Sequence, residues 1–185
     1  MIKLNYNEKT YNVKNSVDEF LINEFEDICG ILNNKEKNYL QKWSEIFIYL
    51  GVPEDVVDDF DSFAFIEIIK QFNIHDLTQH TNFVKEIELD GNTYVCFDEK
   101  FKITVKEMTL IESAINKNEN RYLGDVLAIL YKRENIQKEL HYDKAHLKYK
   151  AELIRKEIKA EVAIPIIAFL SKKLIKDYEL ITNED

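Results

Sequence analysis

The sequence predicts an α+β fold that is mainly helical, built from two related β-hairpin-plus-helices units and finished by a C-terminal helical extension. Three observations predict it. The first is an internal repeat: Ile2-Lys3-Leu4-Asn5-Tyr6-Asn7-Glu8-Lys9-Thr10-Tyr11-Asn12-Val13 is echoed about 85 residues later by Ile87-Glu88-Leu89-Asp90-Gly91-Asn92-Thr93-Tyr94-Val95. The second is that alternating apolar residues in both copies give way to apolar positions at helical spacing. The third is the scarcity of loop formers, 4 Gly and 2 Pro in 185 residues, beside a 45% hydrophobic fraction large enough to build a core.

Taken in order, residues 2–13 read as a hairpin with its turn near Asn7-Glu8-Lys9. Ser16 is placed to cap a helix, with Glu19 at the capping-box position and Phe20, Leu21, Phe25, Ile28 and Leu32 as its apolar stripe. A second helix is expected over 35–50, carrying Trp43, Ile46, Phe47 and Leu50 inward and ended by Gly51. Pro53 opens a short turn or helix, and Ser62 to Phe72 forms another helix with Phe63, Phe65, Ile66, Ile69 and Phe72 on its apolar face. The polar stretch 73–82 reads as a linker, dividing a unit over 1–82 from a second over 83–185.

The second unit carries the clearest local signal. Asp90-Gly91 suits a type I′ turn because both central residues need positive φ, so 83–89 and 92–97 read as strands, with 101–103 a candidate third. Thr104 caps the next helix, with Glu107 at the capping-box position. The copies are matched there as Val17-Asp18-Glu19-Phe20 with Val105-Lys106-Glu107-Met108, and further on by the Tyr-Leu pairs Tyr39-Leu40 and Tyr122-Leu123. A helix then runs from Tyr122 to Tyr131. Residues 140–159 read as a long charged helix striped with Leu147, Ala151, Ile154 and Ile158. Residues 161–178 read as an apolar helix that Pro165 opens or kinks, and the tail 181–185 frays.

The formal net charge is -9, and it is uneven. Residues 1–83 hold 7 basic and 15 acidic side chains, leaving 18 of the 25 basic and 19 of the 34 acidic ones for the rest. An acidic N-terminal half is a poor cradle for a phosphate backbone. Cys29 and Cys96 sit in apolar settings and read as small buried thiols of a reducing compartment. No signal peptide is visible, and the longest apolar run, Val162 to Leu170, is far short of the roughly 20 residues of a membrane span.

No nucleophile elbow, P-loop, dinucleotide fingerprint or zinc spacing occurs; His141 and His146, like His75 and His80, are five apart rather than four. The expectation is therefore no catalytic residue, no cofactor and no metal. What remains are interface candidates. The acidic run Asp55, Asp58, Asp59 and Asp61 lacks the register of a calcium loop and reads as a surface for basic side chains or as helix caps. Lys144, Lys148, Lys150, Arg155, Lys156 and Lys159 make the helix after His141 basic, with Tyr142 and Tyr149 interleaved. The apolar helix over 164–174 is core or interface.

The Asp90-Gly91 hairpin with Thr93-Tyr94, the capped helix at Val105-Lys106-Glu107-Met108, and the echo over Ile2 to Phe20 resemble the opening of small tailed-bacteriophage proteins of the tail assembly chaperone type. The prominence of Asn, Lys, Ile and Glu is also similar to the usage of phages of Bacteroidota hosts, including the crAss-like group. The resemblance implies a non-enzymatic role in the virion or host cytoplasm, as an assembly factor or as a minor or packaged virion protein. It implies contacts with other phage structural proteins or with further copies of the chain. The first copy lacks the turn Gly, and the C-terminal helices lie outside the resemblance. The alternatives are a nucleic-acid-associated or regulatory protein using the basic helix 144–159, and an enzyme with no recognisable motif.

Overall fold

The computed structural model describes residues 1–74, 83–96, 103–117, 120–133 and 142–170. Within them the chain is α+β and mainly helical. The first hairpin pairs β1 (Ile2–Tyr6) with β2 (Lys9–Val13), Ile2 opposite Val13 and Leu4 opposite Tyr11. Ile2, Leu4 and Val13 are buried on the face turned to the helices. Its turn residues Asn7 and Glu8 both have positive φ, +45° and +65°, so it matches the Asp90-Gly91 turn (+49° and +67°) without a glycine.

A 3₁₀ turn, Val17–Glu19, and the extended Phe20 lead into α1 (Ile22–Asn33). Here the expected Ser16 cap fails. Ser16 caps nothing with its side chain and heads only the 3₁₀ turn, while the helix begins six residues later. Phe20 and Val17 are fully buried, and seating both apolar side chains holds this segment out of a continuous helix. Glu24, at the third helical position, accepts the Leu21 N–H at 2.8 Å. α2 (Tyr39–Tyr49) starts four residues later than the expected helix, at a reciprocal box. Asn38 accepts from Gln41 N–H, and the Gln41 side chain accepts from Asn38 N–H. Gly51, at φ +92°, stops it.

α3 (Glu54–Asp58) follows Pro53, and α4 (Ser62–Ile69) ends before Phe72. Trp43, Phe47, Phe65 and Phe72 meet between α2 and α4, with centroids 4.9 Å apart for Trp43–Phe72 and 5.1 Å for Phe47–Phe65. Phe63 does not join them; it is 79% exposed. Of the expected linker, Asn73 and Ile74 are pinned, Asn73 N–H to the Asn15 carbonyl at 2.8 Å and Ile74 by burial. The rest of it, 75–82, lies outside the described residues.

The second hairpin pairs β3 (Glu86–Leu89) with β4 (Asn92–Cys96). Its third strand is β5 (Tyr131–Lys132), set antiparallel to β4 with Cys96 opposite Tyr131. The sequence placed a third strand at 101–103 instead. Ile103 is not in a strand, and 101–102 lie outside the described residues. Thr104 and Glu107 form the expected capping box on α5 (Val105–Lys117), with Thr104 N–H to Glu107 Oε2 at 2.7 Å. α6 (Leu123–Leu130) precedes β5. α7 (Lys144–Glu157) begins at an Asp143 cap, later than expected, and buries Ala151 and Ile154 from the expected stripe. Residues 160–170 form a last described helix, α8, with Pro165 inside it rather than at its start. No helix among the described residues is long and apolar enough to cross a membrane.

Turn geometry corrects the repeat. With the two turns aligned, residues 2–49 of the sequence match residues 85–132 without a gap. Leu4 then corresponds to Ile87, Thr10 to Thr93, Ile22 to Val105 and Tyr39 to Tyr122, a constant offset of 83. The counterpart of Glu107 is Glu24, not Glu19, and both carboxylates hold the N–H that starts their helix. Matching Ile2-x-Leu4 with Ile87-x-Leu89 put the strands two residues out of register.

The units share one hydrophobic core. The link between α7 and α8 pairs with the segment ahead of α1, Ile22 N–H to Ile158 carbonyl at 3.0 Å and Ala160 N–H to Phe20 carbonyl at 2.9 Å. α7 packs chiefly on α6, so closely that a Cβ on Gly124 would meet Arg155 Cγ at 2.6 Å.

Candidate functional site

The acidic run divides between scaffold and surface. Asp61 is the cap of α4, its carboxylate accepting Phe63 N–H at 3.0 Å and Ala64 N–H at 3.1 Å. Asp59 accepts the Tyr6 hydroxyl, tying α3 to the first hairpin and raising the Tyr6 pKa. Asp55 and Asp58 are exposed on α3 beside Glu54, with no hydrogen-bond or ion-pair partner among the described residues. Phe63 is exposed on the first turn of α4, the helix that follows this acidic corner in the chain.

The basic helix divides in the same way. Arg155 is not a surface residue: it is 6% exposed and its guanidinium is occupied inside the protein. Nε donates to Glu26 at 2.9 Å and Nη1 to Glu152 at 3.1 Å. Nη2 donates to Asp125 at 2.5 Å and to the Arg121 carbonyl at 2.7 Å. Glu26, on α1, is 1% exposed and also accepts Gly124 N–H at 3.2 Å. Burial pushes the Glu26 carboxyl above its ordinary range despite the opposing pull of Arg155. The knot joins α1 of the first unit to α6 and α7 of the second. Lys159 donates to the Glu19 carbonyl at 3.0 Å, a second tie between the units. Only Lys144, Lys148 and Lys156 keep the surface role expected of the basic helix; all three are exposed.

Lys144 and Lys148 line a cleft of about 550 Å³ between α5, α6 and α7. Its walls carry Leu110, Ala114, Ile129 and Leu147, and its rim adds Lys117 and Arg121. Arg121 faces Asp27 at 3.8 Å. Lys117, Lys144 and Lys148 have no ion-pair partner among the described residues, so the rim presents free ammonium groups over an apolar floor. Asp125 and Glu152 also line it and are held by Arg155.

A second charged cluster lies beneath the three-stranded sheet. Glu107, fully buried, pairs with Lys132 and accepts the Tyr142 hydroxyl at 3.0 Å. Burial alone would raise its pKa, but the Lys132 and Thr104 hydrogen bonds outweigh that and hold it low. Lys150, 1% exposed, donates to the Tyr131 carbonyl at 2.9 Å and lies 5.4 Å from the Tyr94 ring centroid. Burial, with Lys132 nearby, pushes its ammonium down to about 8. Burial likewise raises the Cys29 thiol to about 11 and the Cys96 thiol to about 12, so both stay protonated near neutral pH. Among the described residues no group of three or more His, Cys, Asp or Glu side chains is placed to hold a metal ion.

Glu26 was missed from sequence, although it left a signal, and Lys150, expected on the basic surface of the helix, is buried instead. Ile22, Phe25, Glu26 and Cys29 stand at i, i+3, i+4 and i+7, a carboxylate inside an apolar stripe, which calls for a buried cation. Lys150 left none, being one of several lysines on a charged helix. Comparison of the chain with protein-family models, with curated proteins and with solved structures returned no match.

Proposed function

We propose that the chain is a non-enzymatic tailed-bacteriophage assembly or virion protein that works through protein–protein contacts. The observation that carries this reading is the separation of free charge. Glu54, Asp55 and Asp58 give the first unit an acidic corner on α3, followed in the chain by the exposed ring of Phe63 at the start of α4. Lys117, Lys144 and Lys148 ring an apolar-floored cleft on the second. Both buried ionic clusters instead knit the helices to one another, the use expected of a scaffold. The phage assignment rests on the hairpin-and-capped-helix resemblance at Asp90-Gly91 and Glu107, supported by the same turn type and the same Glu cap in the first copy.

The test is recovery of the tagged full chain from its producing cells at low and high salt, with protein stoichiometry measured. The expected result is a protein companion, another copy or a structural protein, at a fixed ratio and lost at high salt. The second reading, a nucleic-acid-associated protein, is favoured by the unpaired lysines of α7. Duplex DNA or RNA binding that falls steeply with salt, with no protein companion, would replace the first reading by the second.

A further inference from the structure

We propose that the acidic corner of one copy, with Phe63 as its anchor, docks into the lysine-rimmed cleft of the next copy, so that the chain associates head to tail. This rests on the protein–protein reading above and specifies its partner as a second copy.

The two surfaces match in chemistry. Phe63 is 79% exposed at the start of α4, where Ser62 and Ala64 are also exposed and leave its ring clear. A lone exposed phenyl ring loses hydrophobic stabilisation in water, and interface energy is commonly concentrated in such aromatic anchors seated in a pocket. Asp55 and Asp58, on the helix just before Phe63 in the chain, are exposed with no hydrogen-bond or ion-pair partner among the described residues; Asp59 and Asp61, between them and Phe63, are held by Tyr6 and by the α4 N-terminus. The cleft offers the complement: Leu110, Ala114 and Leu147 as an apolar floor, and Lys117, Lys144 and Lys148 as an unpaired cationic rim. Its volume of about 550 Å³ is ample for one aromatic side chain with the turn that carries it.

A phosphate backbone is the weaker occupant. It has no group for the apolar floor. Corner and cleft are different patches on different units. In the proposed head-to-tail arrangement the contact is heterologous, and repeating it builds a ring or a filament.

The test uses the full chain in sedimentation velocity at low and high salt. Wild type is expected to show concentration-dependent species beyond a dimer at low salt that revert to monomer at high salt. Phe63→Ser destroys the corner, and the Lys144→Glu/Lys148→Glu double variant destroys the cleft. All these side chains are exposed, so circular dichroism should match wild type. Each variant alone should associate at least ten-fold more weakly. Mixed, they should form a one-to-one dimer that grows no further, because one supplies the intact cleft and the other the intact corner. Growth of wild type beyond a dimer separates head-to-tail docking from a two-fold pair that exchanges the same contact, which would also show the complementation. The proposal is overturned by a wild type monomeric at low salt and high concentration, by variants that associate like wild type, or by a mixture that stays monomeric. A monomer that still recovers a different structural protein at a fixed ratio would sink self-docking alone and leave the broader reading standing.

Discussion

Replacing Arg155 by Met should destabilise the protein more than any surface substitution on the same helix. The Met side chain keeps much of the arginine stem, so the loss is electrostatic rather than a cavity. Four donor contacts vanish at once, to Glu26, Glu152, Asp125 and the Arg121 carbonyl. Glu152 and Asp125 are partly exposed and will hydrate, but Glu26 at 1% exposure keeps only the backbone N–H groups of Leu123 and Gly124. Breaking a buried pair by removing one partner costs about 3–5 kcal/mol. In a chain of this size each kcal/mol moves the midpoint by about 2–4 °C, so Tm should fall by roughly 6–20 °C.

Two further arms separate the cause. Glu26→Leu combined with Arg155→Met removes both charges, and apolar replacement of a buried pair is often neutral or better. The double variant should therefore recover to within about 1–2 kcal/mol of wild type. The pH arm follows from the direction of the Glu26 shift. Burial already raises its carboxyl, and losing Arg155 raises it further. A carboxyl whose folded pKa exceeds its unfolded value favours the fold when protonated. Its penalty is complete above the folded pKa and shrinks as pH falls through that value toward the unfolded one. The deficit of Arg155→Met in urea unfolding should thus be smaller at pH 5 than at pH 7. A loss under 1 kcal/mol, or a double variant no better than the single, would refute the knot as the tie between the units.

Two other perturbations test the reading of the fold. Lys150, lowered from 10.5 to about 8, carries a burial penalty of about 3 kcal/mol that is complete below the folded pKa and disappears as pH rises toward the unfolded one. The stability difference between wild type and Lys150→Met in urea should therefore shift toward wild type between pH 7.5 and 10, and a pH-independent difference would show that Lys150 is not buried as an ammonium. Glu8→Gly relieves a non-glycine residue at φ +65°. The left-handed cost of about 1–2 kcal/mol exceeds the added chain entropy of about 0.5–1 kcal/mol, so thermal unfolding should rise by a degree or two, and a fall would mean the Glu8 side chain stabilises the turn.

Local signals were legible in the sequence and relational ones were not. Asp90-Gly91, Thr104 with Glu107, and Gly51 each act through their own backbone neighbourhood, and each stands where the pattern put it. Ser16 failed because a capping box is a local pattern too, and burial of Val17 and Phe20 overrode it. β5 was invisible because a two-residue strand has no period; it exists because Cys96 and Tyr131 meet across the sheet. The site divides by the same rule. Lys144 and Lys148 are exposed on a charged helix, as their pattern implied. Arg155 has the same neighbours in sequence but is drawn inward by Glu26, a residue more than a hundred positions away whose own signal was a misplaced carboxylate.

The constant offset of 83 turns the repeat into a comparison of matched surfaces. Gly124 on α6 and Tyr131 just after it meet α7 at Arg155 and Lys150, and Leu127 and Ala128 between them are also buried. Their counterparts on α2 are Gln41, Ser44, Glu45 and Ile48, which line an open, shallow groove. If α2 kept an empty seat for a helix, the positions under α7 would have stayed small and apolar. Instead a glycine matches a Gln, a Leu a Ser and an Ala a Glu, and Glu45 pairs with Lys37 at 2.5 Å. Three of the four matched positions are polar, and the fourth, Ile48, is 40% exposed. The duplicated helices therefore do not present duplicated sockets, and a partner's place must be sought where one unit has what the other lacks. On the first unit that is α3 and the start of α4, Asp55, Asp58 and Phe63, which lie beyond the repeated 48 residues. On the second it is the cleft that exists only because α7 lies across α5 and α6.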